Sequence, residues 1–416
     1  VPVIFPNSSG TPAYDLYLNA GQDSSFGGNK TSGSANGTDV NNLGDFYYDP
    51  PSDYKAICSQ NLSVNSNVDP AETDDNYPSK LFSATLYSGN GSASARDIDT
   101  GVDADIVWIK RRNADSTKNM LYDSSRGVGK YLHTDSNVVE DTSGTSLSAF
   151  NSDGFELSDN GTYLNASGGT YVAWNWKVNG GSTSSNSNGS ITSTVQVDPT
   201  GHLSIGLYTA NATNSTIGHG LSATPSLIII KKRDNQDRNW VVWAEGTGSA
   251  TQGYLNLNSN TYGTDSQIWQ NTAPTSTVFS VNYGTTETNA ASGDAFVFYA
   301  FANCAGYIQS GSYTGNANTD GPFVYTGFRP AWVMVKYVAS GESWVVVDNK
   351  RDGTNPTNKN LRANDEVEET SGSTYDVDLL SNGFKPRTTW EGWNGSGYRI
   401  LYIAFAENPF KYATAR

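Results

Sequence analysis

Three segments of the chain alternate apolar and polar residues and then end in a Gly/Asn turn. They are SATLYSGNGS from Ser83, SIGLYTANAT from Ser204 and QSGSYTGNAN from Gln309. Alternation with a period of two predicts a β-strand with one buried face. In every segment the tyrosine is followed 23 residues later by a lysine, and the three pairs are Tyr87 with Lys110, Tyr208 with Lys231 and Tyr313 with Lys336. The shared spacing indicates an internal repeat.

Each lysine closes a run of apolar residues, and a polar turn and a second apolar strand follow it. The runs are ADIVWIK, PSLIIIK and PAWVMVK. This pattern predicts a β-hairpin. Later in each copy come a phenylalanine (Phe155, Phe279 or Phe384) and a final aromatic strand. We therefore predict an all-β fold of tandem antiparallel β-sandwich or jelly-roll-like modules at 82–181, 203–305 and 306–416.

Residues 182–202 and 1–81 do not follow the repeat. GGSTSSNSNGSITS, which begins at Gly180 and runs into residues 182–202, has a composition typical of a flexible linker. Residues 1–81 hold too few strand patterns to close a sandwich, so they are expected to be the C-terminal part of a larger domain. Its open edges would need cover from upstream residues or from a strand of another subunit.

The stretch DGPFVYTGFRPAWVMVKY, residues 320–337, concentrates turn residues and aromatic residues next to an apolar run. Two Gly/Pro-containing turns bracket its strands, and Lys336 keeps the 23-residue spacing from Tyr313. We interpret the stretch as scaffold and expect any recognition surface to lie in loops elsewhere.

Composition and charge exclude several partners. The 416 residues carry a formal charge of -15, which disfavours nucleic acid, since binding phosphates requires clustered Lys and Arg. No apolar run of about twenty residues exists, so no membrane insertion is expected. Cys58 and Cys304 lie too far apart in the sequence to form a CxxC metal site or a disulfide scaffold.

The titratable residues do not form a recognisable catalytic motif. Of three histidines, His219 lies in a turn, TIGHGLSATP, whose counterparts in the other two copies have no histidine. The acids of RDIDTGVDAD and NDEVEET fall into one loop and one solvated run, rather than into two facing carboxylates. We predict no catalytic residues, no enzyme activity and no cofactor. Ca²⁺ at RDIDTGVDAD is the alternative, although this run lacks the EF-hand spacing.

Aromatic residues are abundant, with 10 Trp and 24 Tyr. Trp390 and Trp393 lie in the predicted loop RTTWEGWNGSG, and sugars stack on exposed aromatic rings. These two residues are the candidate glycan-binding site. The alternative is that either ring packs under the loop.

Several repeated motifs resemble a domain family of unassigned function that is common in virion and tail proteins of bacteriophages, especially marine and cyanobacterial ones. They are FNSDGFELS with YVAWNWK, IGHGLSATPSLIIIKKR, and DGPFVYTGFRPAWVMVK with LSNGF and YIAFAENPFK. GQDSSFGG and GDFYYDPPSDYKAICSQNL are similar to the end of a SPRY-like, concanavalin-type sandwich.

The resemblance implies a virion or extracellular location and a self-associating tail fibre or other host-facing appendage. Lectin-like recognition of cell-surface glycan is then the expected function. A purely structural subunit of a fibre, filament or capsid decoration is the second hypothesis, and a polysaccharide depolymerase is the third.

Overall fold

A computed structural model describes residues 37–40, 46, 50–52, 54–56, 77–142, 146–245, 253–260, 262–265, 267–289, 291–339 and 341–407. The chain divides into two compact units, Val1–Thr73 and Asp74–Arg416. In the first unit, the described residues include an antiparallel bridge between Gly37 and Phe46. The SPRY-like prediction for residues 1–81 lies almost wholly outside the described residues. The last eight residues of this range, 74–81, belong to the second unit.

Module 1 follows a short helix, α1, at Pro78–Leu81. Its strands are β1 (Phe82–Ser88), β2 (Arg96–Asp99), β3 (Ile106–Arg111), β4 (Met120–Asp123), β5 (Leu132–His133), β6 (Leu147–Asn151), β7 (Gly154–Leu157) and β8 (Thr170–Trp176). They form one sheet in the order β1-β8-β3-β4-β5 and a smaller one in the order β2-β7-β6. All of these strand pairs are antiparallel.

Module 2 contains β9 (Ser184–Asn186), β10 (Ser193–Val197), β11 (Leu203–Thr209), β12 (Ser215–Gly218), β13 (Leu227–Lys232), β14 (Val241–Ala244), β15 (Gly253–Asn256), β16 (Tyr262–Thr264), β17 (Val278–Val281) and β18 (Ala295–Phe301). Its large sheet has the order β16-β15-β14-β13-β18-β11-β10-β9, and its small sheet pairs β12 with β17. Residues 182–202 therefore do not form a flexible linker. β10 pairs with β11 and β9 pairs with β10, so both extend the large sheet, and Val195 of β10 is buried against its core.

Module 3 contains β19 (Ile308–Thr314), β20 (Val324–Tyr325), β21 (Pro330–Tyr337), β22 (Val345–Asp348), β23 (Leu361–Arg362), a 3₁₀ turn (Ser373–Tyr375), β24 (Val377–Leu380), β25 (Gly383–Pro386), helix α2 (Glu391–Asn394) and β26 (Arg399–Ala406). The sheet orders are β19-β26-β21-β22-β23 and β20-β25-β24. The three large sheets share one five-stranded order, to which module 2 adds β9, β10 and β16, while its small sheet has two described strands rather than three. The all-β prediction is confirmed. In the part of the chain that is described, no helix is long and apolar enough to cross a bilayer.

Each large sheet is buried on both faces. One face packs on the small sheet of its own module, around Phe155, Phe279 or Phe384. The other face contributes to a single core that all three modules share. In this shared core the rings of Trp174 and Trp332 lie 6.1 Å apart, and those of Phe301 and Phe405 lie 6.1 Å apart. The modules are therefore layers of one body rather than separate beads.

The three repeated lysines connect the modules in a cycle. Lys110 Nζ donates to the carbonyl oxygen of Asp365 in module 3 at 3.2 Å. Lys231 donates to Asn137 in module 1 at 2.8 Å, and Lys336 donates to Asn260 in module 2 at 3.3 Å. Each module thus contacts a different neighbour through the lysine at the same position of the repeat. The 23-residue spacing that marks the repeat therefore places a buried cation at every boundary between modules.

Candidate functional site

The small sheets present three different outer surfaces. In module 1, the solvent-facing positions of β2 are Asp97 and Asp99, which alternate with the buried Ile98. In module 2, Thr216 and Ser190 exchange hydrogen bonds, so the preceding segment covers the outer side of β12. The small sheet of module 3 instead exposes aromatic rings, and we therefore take it as the candidate site.

The aromatic patch of module 3 comprises Phe323, Tyr325 and Gly383. Val324 points into the core and pairs with Phe384, so its two neighbours in sequence face outward. Phe323 is 46% exposed and Tyr325 is 66% exposed. A Cβ atom on Gly383 would lie 2.9 Å from the Phe323 ring, so the glycine makes room for that ring. The patch thus offers two large exposed rings, one on each side of Val324 at the start of β20.

Four charged side chains, which we call the charge cluster, lie beside the patch: Asp378 and Lys385 on the small sheet, and Asp320 and Arg387 next to its strands. Asp320 accepts from Lys385 Nζ at 2.8 Å and from Arg387 Nη1 at 3.0 Å, and Arg387 Nε donates to Asp378 at 2.6 Å. The hydrogen bond from Lys385 is the main cause that lowers the pKa of Asp320. The charges of the two acidic and the two basic side chains sum to zero. The cluster therefore supplies polar groups to a ligand without favouring either sign of charge.

The predicted glycan-binding pair is not assembled on the surface. Trp393 is 0% exposed, and its ring packs 6.1 Å from that of Phe384 inside module 3. Its ring therefore has no face to offer a sugar, and this part of the prediction is wrong. Trp390 is half-buried and meets Tyr375 edge-on at 5.0 Å. Its role in glycan binding stays a prediction.

The histidines and acidic residues hold structural positions. His219 is buried in a turn, where Nε2 lies 3.2 Å from Thr275 O and Nδ1 accepts from Leu221 N. Burial lowers its pKa. The three histidines make their hydrogen bonds or ring contacts with different sets of residues.

The acidic run RDIDTGVDAD is divided between a strand and a buried carboxylate. Asp105 is buried and accepts from the backbone of Val178, Gly180 and Gly181, so it closes the end of module 1. Among the residues that are described, no group of three His, Cys, Asp or Glu side chains is placed to hold a metal ion. The Ca²⁺ alternative stays a prediction.

Sequence analysis missed Phe323 and Tyr325, although their signal was present. In PFVYTG, aromatic residues alternate with a valine, a pattern that places both rings on one face of a strand. We interpreted the whole stretch as scaffold. The structure supports that role for Lys336, which is buried, but the same stretch also carries the two exposed rings.

The fold and this surface define a class of protein: one whose unit Asp74–Arg416 is a compact body of three β-sandwich modules with an exposed aromatic patch. The chain belongs to DUF7483, a family of domains of unknown function whose sequence profile matches residues 77–409. The matched range spans all three modules, so the family unit is the whole three-module body. No match was found among curated proteins or among solved structures.

Proposed function

We propose that this chain is a bacteriophage virion protein of a tail fibre or other host-facing appendage, and that it binds cell-surface glycan through the aromatic patch of module 3. The observation that carries the binding role is the exposure of Phe323 and Tyr325 beside a balanced charge cluster. The virion role rests on the sequence resemblance described above.

The chemistry of the patch favours a neutral glycan. Sugar C–H faces stack on aromatic rings, and the hydroxyl groups of a sugar need nearby donors and acceptors. Lys385 and Asp378 are cross-strand neighbours beside the patch and can supply both. A polyanionic glycan would meet a chain of formal charge -15 and a cluster without excess positive charge.

A glycan array and intact bacterial envelopes, probed with the full chain, test this function. We expect the Phe323→Ala, Tyr325→Ala double variant to lose binding, because both stacking faces are removed. Tyr283→Ala is the matched control, since Tyr283 is 57% exposed but lies in module 2. Absence of binding to every glycan and every envelope would reject recognition, whereas binding that survives in the double variant would reject only this site.

A purely structural subunit is the second candidate. The observation in its favour is the shared core, which makes Asp74–Arg416 one compact building block. Chemical labelling of solvent-accessible tyrosines in the assembled particle separates the two functions. If Tyr325 is protected from solvent in the particle, the structural role is preferred. If it stays reactive, recognition is preferred.

A further inference from the structure

In module 2, strand β10 covers the side of β11 that faces away from β18, and β9 lies beyond it at the edge of the large sheet. It pairs antiparallel with β11, with Gln196 opposite Ile205 and Thr194 opposite Leu207. The Gln196 side chain is buried and donates to the hydroxyls of Ser124 and Ser125 in module 1, at 2.9 and 2.6 Å. β10 therefore completes the sheet and also fills the boundary between two modules.

In module 1, the described residues include no strand that covers the corresponding edge. β1 corresponds to β11, since each pairs with the last strand of its module, and β8 is the partner of β1 in the described sheets. An open groove runs along this edge. Its walls include Phe82–Leu86 on one side and Asn349 and Lys350 of module 3 on the other. These last two residues follow Asp348 as Ser124 and Ser125 follow Asp123, so the groove is the counterpart of the place that β10 fills.

The backbone of β1 presents hydrogen-bonding groups to this groove. Lys177 N donates to Leu81 O, and Gly89 N donates to Gly169 O, so the odd-numbered residues of β1 bond to β8. The backbone groups of Ala84 and Leu86 therefore face the opposite edge. Ile205 and Leu207, at the matching positions of β11, face β10.

Two side chains in the groove would also gain a partner if a strand were added beside β1. Leu86 is 40% exposed on this edge. The Oδ1 atom of Asn349 is buried and has no hydrogen-bond partner among the described residues. It occupies the position where Ser124 receives the Gln196 amide, so an amide N–H from an added strand would satisfy it. An exposed leucine and an unsatisfied acceptor are costs that an added strand would remove.

The chain's own sequence before β1 does not repeat β10. β10 reads STVQV and begins ten residues before β11, whereas the five residues at the same distance before β1 read ETDDN. Aspartate and asparagine stand where Val195 and Val197 enter the core of module 2. These residues lack the β-branched side chains that a buried strand position favours.

We propose that the groove beside β1 is a docking site for one extended strand of a partner polypeptide. The strand pairs antiparallel with Ala84 and Leu86, carries β-branched residues toward module 1 and directs an amide side chain to Asn349. This is recognition by strand addition, with β10 as its precedent within the same chain. The site is independent of the aromatic patch.

A peptide with the sequence of residues 190–199, SITSTVQVDP, is the probe. Fluorescence anisotropy of the labelled peptide with the full chain measures binding. N-methylation at the Thr194 and Gln196 positions removes the two N–H groups that would bond to β1, so we expect at least about tenfold weaker binding. N-methylation at the Val195 position is the matched control, since that N–H points away from β1 and binding should be kept.

Amide hydrogen exchange of the full chain gives a second measurement that needs no variant protein. Bound peptide should slow exchange at Ala84 and Leu86 while leaving Thr85, which already faces β8, unchanged. Lack of peptide binding, or equal binding of both N-methylated peptides, would overturn the proposal. Self-association of the chain that Leu86→Lys abolishes would also overturn it, because the occupant would then be a second copy.

Discussion

Tyr299 of module 2 donates a hydrogen bond of 2.6 Å to the Asp123 carboxylate of module 1. Trp174 of module 1 makes the matching bond, from Nε1 to Asp348 of module 3, at 3.0 Å. Both carboxylates are fully buried, and each also forms an ion pair with an arginine three residues later in its own module. Two of the three module boundaries are thus joined by a buried charge that belongs to both sides.

The third boundary has apolar residues at the same two positions. Ile403 of module 3 stands where the donor would be, and Ala244 of module 2 stands where the carboxylate would be. The two residues line one small cavity. Donor and acceptor are therefore absent together, which avoids an unsatisfied buried group. At this pair of positions, two boundaries of the cycle are polar and the third is apolar, although Lys336 still joins modules 3 and 2 by its bond to Asn260.

Removing the donor at a polar boundary should destabilise the whole body. Tyr299→Phe leaves the buried Asp123 without one of its hydrogen bonds, so we expect the free energy of unfolding to fall by about 1–3 kcal/mol. Urea denaturation measures it. Tyr283→Phe is the control, and because that ring is exposed its effect should stay within about 0.5 kcal/mol. Equal stability of both variants would show that the boundary does not depend on this bond.

The lysine cycle predicts a dependence of stability on pH. Burial lowers the pKa of Lys231 to about 7, with Asp237 acting to raise it and Lys232 and Arg238 to lower it. Between about 7 and the ordinary 10.5, the unfolded chain binds more protons at this residue than the folded chain does. The free energy of unfolding therefore gains a contribution that rises with pH across this interval and is flat below it.

Lys231→Met removes that contribution. Denaturation of the parent chain and of the variant at several pH values gives the difference in their free energies of unfolding. We expect this difference to shift in favour of the parent as pH rises from about 7 toward 10.5. A difference that is constant over this interval would contradict the prediction. Groups elsewhere in the chain titrate in both proteins and so cancel.

The sequence predicted the modules better than their arrangement. The strands between Tyr87 and Lys110 could be predicted because the alternation of apolar and polar residues and the turn residues are local signals. The shared core depends on contacts between distant residues, such as Trp174 with Trp332, which no local pattern reports. One signal was available: LIIIKK and PAWVMVKY each contain an unbroken apolar run of four or more residues, and β13 and β21 are buried along their whole length. Such runs are typical of sheets covered on both faces.

The candidate site was harder to predict because aromatic content alone does not report exposure. Trp393 and Tyr325 are both aromatic residues close to turns, yet one is fully buried and the other is 66% exposed. The difference arises from which face of the small sheet each ring meets, and that depends on strand register. Alternation around Val324 was the local clue to register, whereas the loop around Trp393 has no such period.

A buried asparagine closes the corresponding loop in each module by hydrogen bonds to a second asparagine. Truncating the buried asparagine should therefore destabilise the fold. The side chain of Asn394 is buried, accepts from Asn316 N at 2.8 Å and donates to Asn318 O at 2.7 Å. Asn165 and Asn289 make corresponding bonds in the other modules.

Asn394→Ala removes the bonds to Asn316 N and Asn318 O and leaves the buried Thr388 carbonyl without this donor, so we expect the free energy of unfolding to fall by about 1–3 kcal/mol. Urea denaturation measures it. Asn160→Ala is the control, because Asn160 is exposed and its replacement should be nearly neutral. A loss below about 0.5 kcal/mol at Asn394 would show that water replaces the asparagine without cost.

Trp393 lies in helix α2 and Trp390 lies just before it. Truncating these two residues should lower the free energy of unfolding by different amounts. Trp393 is fully buried beside Phe384, so Trp393→Ala creates a cavity and should cost about 3–5 kcal/mol. Trp390→Ala should cost clearly less, because that ring is half-buried and contacts Tyr375 from the side. Urea denaturation of both variants measures the difference.

Glycan binding by the same two variants then separates packing from recognition. If the aromatic patch of Phe323 and Tyr325 is the site, Trp390→Ala keeps both its fold and its binding. Any loss of binding in Trp393→Ala should follow the unfolded fraction and should recover where the variant is folded, at lower temperature. Loss of binding in a fully folded Trp390→Ala variant would instead move the site to helix α2, because a half-buried ring still has one face that a sugar could cover.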